Sequence, residues 1–305
     1  MSDRTLSVPL RQRIWNPEAR LAYILLAPAI VMLAVFMFYP IVYVFMMAFS
    51  QTNKLSQIQG FAGLANFRNL FQNREFWVIT VRSIMWTVMA VAAKTLLGMI
   101  IALILNVKFA GRKVARMFFI VPWASAVPIS AILWRWVYHP NYGLLNYTLQ
   151  ALHVTANPPI WLGDPVASFA ACIWVDIWIG IPFMALVFLA GMQAISEDLY
   201  ESAYLDGVNW WQKFAYITLP GIRHIVLIAT LLSCLWTFND FNVIYILTRG
   251  GPANTTDILI TSIYKTGFEF RRFSEASGMA VITFLILSVL SVLYARVYFR
   301  QEKTG

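Results

Sequence analysis

Residues 197–220 read EDLYESAYLDGVNWWQKFAYITLP, a polar stretch that lies between two long apolar runs of the chain. Ser196 is a suitable N-cap, and Glu197 and Asp198 follow it in the first turn, where the helix dipole favours negative charge. Gly207 stands where a left-handed residue would end the helix. The pattern predicts a helix of about eight to ten residues, roughly 15 Å long.

A second helix is predicted directly after this turn. Asn209 is followed three residues later by Gln212, which is the spacing of a capping box, and Pro220 is expected to close the helix before the next apolar run. The segment is aromatic and suits a membrane interface, with Trp210, Trp211, Phe214 and Tyr216.

The composition explains why such a polar loop is unusual here. Hydrophobic residues make up 60% of the 305 residues and charged residues only 12%. This balance is typical of a multispan membrane protein and excludes an ordinary soluble domain.

Six apolar runs are long enough to cross about 30 Å of hydrocarbon, which predicts an all-α integral membrane protein. Residues 21–299 then form one six-span unit that contains the loop 193–223, between a segment 1–20 and a tail 300–305. The predicted spans are Leu21–Phe49, Trp77–Leu105, Met117–Tyr138, Val166–Met192, Ile225–Leu247 and Ala276–Tyr298.

Basic residues predict the orientation of these spans. Six spans place both termini on one side, and Lys and Arg are enriched on the cytoplasmic side of membrane proteins. The N-terminal segment, the loop after the second span and the tail carry such residues, whereas residues 139–165 carry none. Both termini and the loop 193–223 are therefore expected in the cytoplasm. The basic residues concerned are Arg4, Arg11, Arg13, Arg20, Lys108, Arg112, Lys113, Arg116, Arg296, Arg300 and Lys303.

Other kinds of site have little support in the sequence. The net charge of +9 is explained by the cytoplasmic loops, so no nucleic-acid partner is expected. Cys172 and Cys234 fall inside predicted spans, and the three histidines lack ligand spacing, so neither a disulfide framework nor a metal site is predicted. No phosphate-binding loop or catalytic set occurs in the sequence, which predicts a conduit and not an enzyme.

The helix predicted at residues 197–206 has two possible roles. Leu199, Ala203 and Asp206 share one face, and Tyr200 and Tyr204 share the neighbouring face. Since so short a helix is marginal alone, it needs a surface to pack against. It is either an amphipathic helix at the membrane interface or a helix that docks in the groove of a partner protein.

Several motifs resemble a known transporter family. Glu201-Ser202-Ala203, Asp206-Gly207 and then Ile217, Leu219 and Pro220 resemble the loop signature of permease subunits of bacterial ATP-binding cassette importers. Four further segments resemble the sugar-importing branch related to maltose and glycerol-3-phosphate permeases, and the resemblance covers nearly the whole chain. Ser202 and Val208 depart from the usual alanines. The further segments are Ile181-Pro182-Phe183, Leu189-Ala190-Gly191-Met192, Phe238-Asn239-Asp240 and the run 246–252, ILTRGGP.

The resemblance implies a division of labour in the bacterial inner membrane. An extracytoplasmic solute-binding protein, periplasmic or lipid-anchored, would deliver a sugar, and this chain with a second homologous permease subunit would form the pathway through the lipid. A dimer of ATP-binding subunits would hold ATP and Mg, so this chain would carry no cofactor. Glu201, Ala203, Asp206 and Gly207 would contact the ATPase groove.

Ionisable residues inside the spans are candidates for the substrate pathway. Asp176 and Asp240 would be costly at bilayer depth unless they face a cavity or a partner charge. The alternative is a structural pair with Lys94, Arg82 or Arg135. Neighbouring amides and aromatic rings suit the hydroxyl groups and apolar faces of a sugar, and they are Asn239, Asn242, Trp174 and Trp178.

The outer segments are expected to receive the binding protein. Residues 258–270 are predicted to be helical but too short for a seventh span. Lys265, Arg271 and Arg272 would meet an acidic face, or they are ordinary solvated charges.

Two other classes of membrane protein have less support in the sequence. An ion-coupled secondary transporter would also use intramembrane aspartates but commonly has two related halves, and no internal repeat is evident. A channel would need a selectivity element, and none is apparent. The sequence does not identify the cargo or show whether it is charged.

Overall fold

The structure, a computed structural model, describes residues 17–302 and the side chains of residues 20–300. Arg4, Arg11, Arg13 and Lys303, used above to orient the chain, lie outside the described residues. The helices are α1 (Pro17–Leu33), α2 (Tyr39–Ala48), α3 (Ala65–Gln72), α4 (Arg74–Asn106), α5 (Arg112–Ala124), α6 (Val127–Val137), α7 (Leu144–Ala151), α8 (Pro165–Gln193), α9 (Glu197–Leu205), α10 (Trp210–Lys213), α11 (Leu219–Phe238), α12 (Phe241–Leu247), α13 (Leu259–Tyr264) and α14 (Phe273–Glu302).

Four of the six predicted spans are continuous helical segments, and the first of them includes a π turn. Within residues 17–302, five helices are long and apolar enough to cross a membrane, and there are six if one bent pair counts as a span. The predicted bounds differ from the observed ones by one to three residues at each end of these four spans. The observed segments are Arg20–Ala48, Arg74–Asn106, Pro165–Gln193 and Phe273–Arg300.

The third predicted span, Met117–Tyr138, is broken. Helices α5 and α6 meet at an angle of 96°, with Ser125 and Ala126 in extended conformation between them. Pro128 lies in the first turn of α6, where its missing N–H is not needed, although in the middle of one continuous helix it would remove a hydrogen bond. The sequence did not predict this break, because an apolar composition does not indicate the direction of the backbone.

The fifth predicted span, Ile225–Leu247, has different bounds from those expected. The helix that crosses the membrane begins at Trp210 and ends at Phe238, and α12 follows as a separate helix. Asp240 causes the second break, because its side chain accepts hydrogen bonds from the backbone of the next turn and so caps α12.

Pro220 was expected to end the loop's second helix, and this expectation is wrong. A π-helical turn, Phe214–Thr218, precedes Pro220, and the chain stays helical from α10 into α11. The same arrangement occurs in the first span, where the π turn Ala34–Phe38 precedes Pro40. The wider turn accommodates the proline ring that would clash with the carbonyl of an ordinary α-helix.

Helices α4 and α8 form the centre of the molecule. α11 packs against both of them, while the two short helices that follow the breaks, α6 and α12, pack on each other. Gly98 permits the close contact between α4 and α8, because a Cβ atom at this position would lie 2.7 Å from the Cβ of Met184. The fold thereby brings both helix breaks next to the central pair.

Smaller elements cover one end of the bundle. Strands β1 (Ser50–Thr52) and β2 (Ile58–Phe61) form an antiparallel hairpin that was not predicted. The segment 258–270 consists of α13 and a π turn, Lys265–Glu269, as the sequence predicted for a short helical piece. Ile258 and Leu259 are fully buried, and the backbone N–H of Leu259 donates to Oγ of Ser83 at 2.7 Å, so this segment is anchored to α4.

Candidate functional site

A cavity of about 520 Å³ opens where the two helix breaks meet the central helices. Non-helical backbone at membrane depth is tolerated where it lines such a space, and transporters use it in this way. The lining comes from α4, α5, α6, α8, α11, α12 and the connection 239–240, and it consists of Lys94, Trp123, Val127, Asp176, Ile179, Gly180, Phe183, Ser233, Leu235, Trp236, Thr237, Asn239, Asp240 and Asn242.

Asp176 pairs with Lys94 in the wall of this cavity. Nζ of Lys94 lies 2.7 Å from Oδ2 of Asp176, and it donates a second bond to Oγ1 of Thr237 at 2.6 Å. The Thr237 hydroxyl in turn donates to Oδ2 of Asp176 at 3.4 Å. Since the side chains of Lys94 and Asp176 are only 4% and 9% exposed, this cluster connects α4, α8 and α11 through a buried ion pair.

Asp240 lines the same cavity but has a different role. Its Oδ1 accepts hydrogen bonds from the backbone N–H groups of Asn242, at 2.9 Å, and Val243, at 3.2 Å. It does not take part in the ion pair, so the expected structural pair forms with Asp176 alone, while both aspartates line the cavity. Arg82 and Arg135 bind backbone carbonyls instead, Arg82 those of Asn254 and Asp257, and Arg135 that of Ile246.

Two amides and an aromatic cluster complete the lining. Asn239 donates to the carbonyl of Leu235 at 2.9 Å, which leaves its carbonyl oxygen as an acceptor toward the cavity, and Asn242 is half-buried beside it. Phe183 contacts two tryptophans, with ring centroids 6.1 Å from Trp123 and 5.0 Å from Trp236. Polar groups and flat apolar rings thus share one cavity.

The structure places Trp174 and Trp178 away from this cavity. Both rings pack around Trp134, with centroid distances of 6.4 and 5.5 Å. They lie four residues apart on α8, whereas Asp176 is two residues from each and so points to the opposite side of the helix. Sequence neighbourhood suggested a shared site, but helical periodicity separates these two tryptophans from Asp176.

The aromatic residues that do line the cavity were missed in the sequence. Phe183 follows Asp176 by seven residues, which is a helical spacing that puts both on one face, so this residue could have been found. Trp123 and Trp236 lie on other helices, and no pattern in the sequence signals that they meet Phe183.

The polar loop forms as the sequence predicted at its first helix. Oγ of Ser196 accepts from the N–H of Asp198 at 3.3 Å, and α9 spans nine residues. Gly207 has φ +73°, and the N–H of Val208 reaches the carbonyl of Ala203 at 3.0 Å, which closes the helix in the manner of a Schellman motif.

The predicted capping box is also present. The backbone N–H of Asn209 donates to Oε1 of Gln212, and the backbone N–H of Gln212 donates to Oδ1 of Asn209, both at 2.9 Å. The hydroxyls of Tyr200 and Thr218 are 3.0 Å apart and join α9 to the π turn before α11. This contact links α9 to the helical segment Trp210–Phe238.

The expected contact residues of α9 do not share one environment. Glu201, Asp206 and Gly207 are exposed, whereas Ala203 is buried inside this chain at 7% exposure. The small side chain of Ala203 therefore packs α9 on its own protein. The apolar side chains that α9 leaves open are Leu199, Tyr204 and Leu205, with Leu205 85% exposed.

The comparison with protein families decides the identity. Residues 94–304, more than half of the chain, match the family described as the inner membrane component of binding-protein-dependent transport systems. The chain belongs to this family. It is an ABC transporter permease subunit, a multi-pass protein of the inner membrane.

Relatives and solved structures agree with the family. A probable ABC transporter permease of Brucella suis is 38% identical over 93% of this chain and 98% of its own. The trehalose/maltose transport system permease MalF of Thermococcus litoralis is 34% identical, over 98% and 100%. The solved structure of a bacterial alginate ABC transporter in complex with an alginate pentasaccharide-bound periplasmic protein has the same fold, with a TM-score of 0.83, 24% identity and coverage of 97% and 99%.

Away from α9, the three basic residues that were expected to face a binding protein lie in different environments. Lys265 forms a 2.7 Å ion pair with Asp257, and Arg272 pairs with Glu275. Arg271 is exposed at a positive φ of 55°. Only Arg271 of the three therefore presents an exposed cation without an ion pair in the described part of the chain.

Proposed function

We propose that this permease subunit forms half of an alternating-access pathway that imports a sugar or sugar derivative. The observation that carries the proposal is the cavity at the two helix breaks, where Asn239, Asn242 and Asp240 lie beside the rings of Trp123, Phe183 and Trp236. Amides and carboxylates bind sugar hydroxyls, and aromatic faces bind the apolar faces of the ring. The trehalose/maltose permease among its relatives supports the same class of cargo.

The partners follow from this role. A second homologous permease subunit would supply the other half of the pathway, and a solute-binding protein would deliver the cargo to the outer surface. Two ATPase subunits would bind ATP and Mg on the cytoplasmic side. The termini of this chain and α9 would lie in the cytoplasm, consistent with Arg112 and Arg116 at the base of the α4–α5 loop.

Helix α9 would couple this permease to the ATPase. Its exposed residues Leu199, Tyr204 and Leu205 offer an apolar contact, and Glu201 and Asp206 add exposed negative charge. ATP-driven closure of the ATPase dimer would move α9, and the Tyr200–Thr218 contact would pass the movement to α11. Gly207 would allow the chain to reverse behind the docked helix.

The decisive experiment is transport in proteoliposomes that contain this chain, its partner permease, the ATPase and the binding protein. We expect uptake of a sugar to require ATP and to ignore an imposed proton or sodium gradient. Omission of the ATPase should abolish the uptake. Uptake that follows an ion gradient without ATP would instead support an ion-coupled transporter.

The coupling role of α9 has its own test. Replacing Glu201 with Arg reverses an exposed charge at the proposed interface, and we expect both transport and stimulation of the ATPase to fall by about tenfold or more, since rim and core charges of interfaces set partner fit. Glu201→Gln should give an intermediate loss. Equal recovery of the assembled permease pair in all variants controls for folding, and unchanged activity in Glu201→Arg would remove α9 from the docking surface.

A further inference from the structure

Three ionisable side chains line the cavity in the described part of the chain, and they are not equivalent. Lys94 and Asp176 form the buried pair, while Asp240 lies outside it. Whether a charged cargo can pass depends on which of these charges is already neutralised, because like charges a few ångströms apart repel strongly where water is scarce.

The positive charge of Lys94 is already satisfied by the protein. Its ammonium group has three donors, of which one contacts Asp176 at 2.7 Å and another contacts Thr237 at 2.6 Å. Gly180 leaves room for the Lys94 stem, since a Cβ atom at this position would collide with that side chain. The site therefore holds Lys94 in place against Asp176, where it does not serve as a free cation for an acidic cargo.

The carboxyl group of Asp240 is not part of the Lys94–Asp176 ion pair. Its Oδ1 accepts from two backbone N–H groups of α12, and no ion pair of Asp240 occurs among the described residues. The remaining polar groups of the lining are uncharged, such as Asn239 and Asn242. Because Lys94 and Asp176 balance each other, the carboxyl group of Asp240 is the acidic group of the described lining that stands outside an ion pair.

We infer that the cavity selects uncharged saccharides and excludes those with carboxylate or sulfonate groups, with Asp240 as the excluding residue. The inference rests on the proposed function and names its substrate class. Specificity of this kind arises from a repulsive element as much as from attractive contacts. An acidic sugar that entered would place its anion near Asp240 without a free cation in this chain to offset it.

The first test uses the intact importer in cells, compared with a strain that lacks this chain. Uptake is measured for matched labelled probes: glucose and glucuronate, galactose and galacturonate, maltose and maltobionate, trehalose, and an oligomannuronate. We expect the uptake that depends on this chain to be confined to neutral probes. If uptake of an acidic probe depends on this chain, the inferred selection by charge is overturned, but the proposed import of sugars stands. If no probe depends on the chain, both that inference and the proposed cargo class fail.

The second test changes the charge without removing the helix cap. Asp240→Asn keeps an N-cap acceptor and loses the negative charge. In reconstituted importer we expect the ratio of acidic to neutral uptake to rise by about tenfold or more, because the variant removes a like charge from the lining.

Asp164→Asn is the matched control. Asp164 caps α8 through Val166 and Ala167 as Asp240 caps α12, but it is exposed and does not line the cavity. The uptake ratio should stay at the wild-type value in this variant. An unchanged ratio in an assembled Asp240→Asn importer would overturn the assignment of Asp240 as the excluding residue.

Discussion

At the scale of single residues, the Lys94–Asp176 pair determines which substitutions the centre of the protein tolerates. The two charges come from α4 and α8, and Thr237 of α11 bridges them. A buried pair adds little net stability, because desolvation of the charges offsets their attraction, but loss of one partner leaves an uncompensated charge. The pair thus fixes how three helices sit against one another.

The effect of breaking this pair can be measured. Lys94→Met leaves Asp176 buried alone and should destabilise the protein by about 3–5 kcal/mol, whereas Lys94→Met with Asp176→Leu should restore most of the loss. Thermal unfolding of the purified permease pair, followed by tryptophan fluorescence, gives the order of stability of the variants.

The exposed pair of Lys108 and Glu197 provides the control. These groups are 3.5 Å apart, and their side chains are 85% and 80% exposed, so Lys108→Met should change the unfolding temperature little. A double variant at the buried pair that is no more stable than Lys94→Met alone would show that the ion pair does not account for the loss.

At the scale of elements, the cavity depends more on the two helix breaks than on the helices themselves. α11 ends at Phe238 because Asp240 caps α12, and α5 ends at Ala124 before Pro128 starts α6. Residues beside the first break and within the second line the cavity, and α6 packs on α12. A continuous helix at either place would fill the space in which the cargo is proposed to bind.

The cap at Asp240 gives a prediction about stability that is separate from its charge. Asp240→Ala should cost about 0.5–2 kcal/mol because two N–H groups of α12 lose their acceptor, while Asp240→Asn should cost little because Asn caps as well as Asp. Thermal unfolding again measures the difference. Equal losses in the two variants would show that the charge, and not the cap, holds the break in place.

At the scale of the whole molecule, the arrangement of polar ends and apolar spans predicts the topology. Ser202 on α9 and Asn141 in the α6–α7 loop are both exposed, and they are expected on opposite sides of the membrane. Cys172 and Cys234 are buried, so they should contribute little background to thiol labelling.

Cysteine labelling tests this topology directly. In intact cells, a membrane-impermeant maleimide should label Asn141→Cys but not Ser202→Cys. In inside-out vesicles the pattern should reverse. Labelling of Ser202→Cys from outside would place α9 on the wrong side for an ATPase and would contradict the coupling role.

Much of this molecule could be predicted because hydrophobicity and capping are local signals. The apolar runs gave α4 and α8 to within three residues, and Ser196, Gly207 and the Asn209–Gln212 box gave both ends of α9 and the start of α10. The break at Asp240 carries a local signal as well, since an aspartate before an apolar run is an N-cap pattern, but the long apolar surroundings obscured it.

The membrane class, the six apolar runs and the short capped helix between two of them follow from the order of residues, because each depends on neighbours along the chain. The pairing of Lys94 with Asp176, the shared cavity of Trp123, Phe183 and Trp236, and the inward packing of Ala203 come from the fold. These contacts join residues that are far apart in the chain, and helix direction, rotation and close packing decide which of them meet.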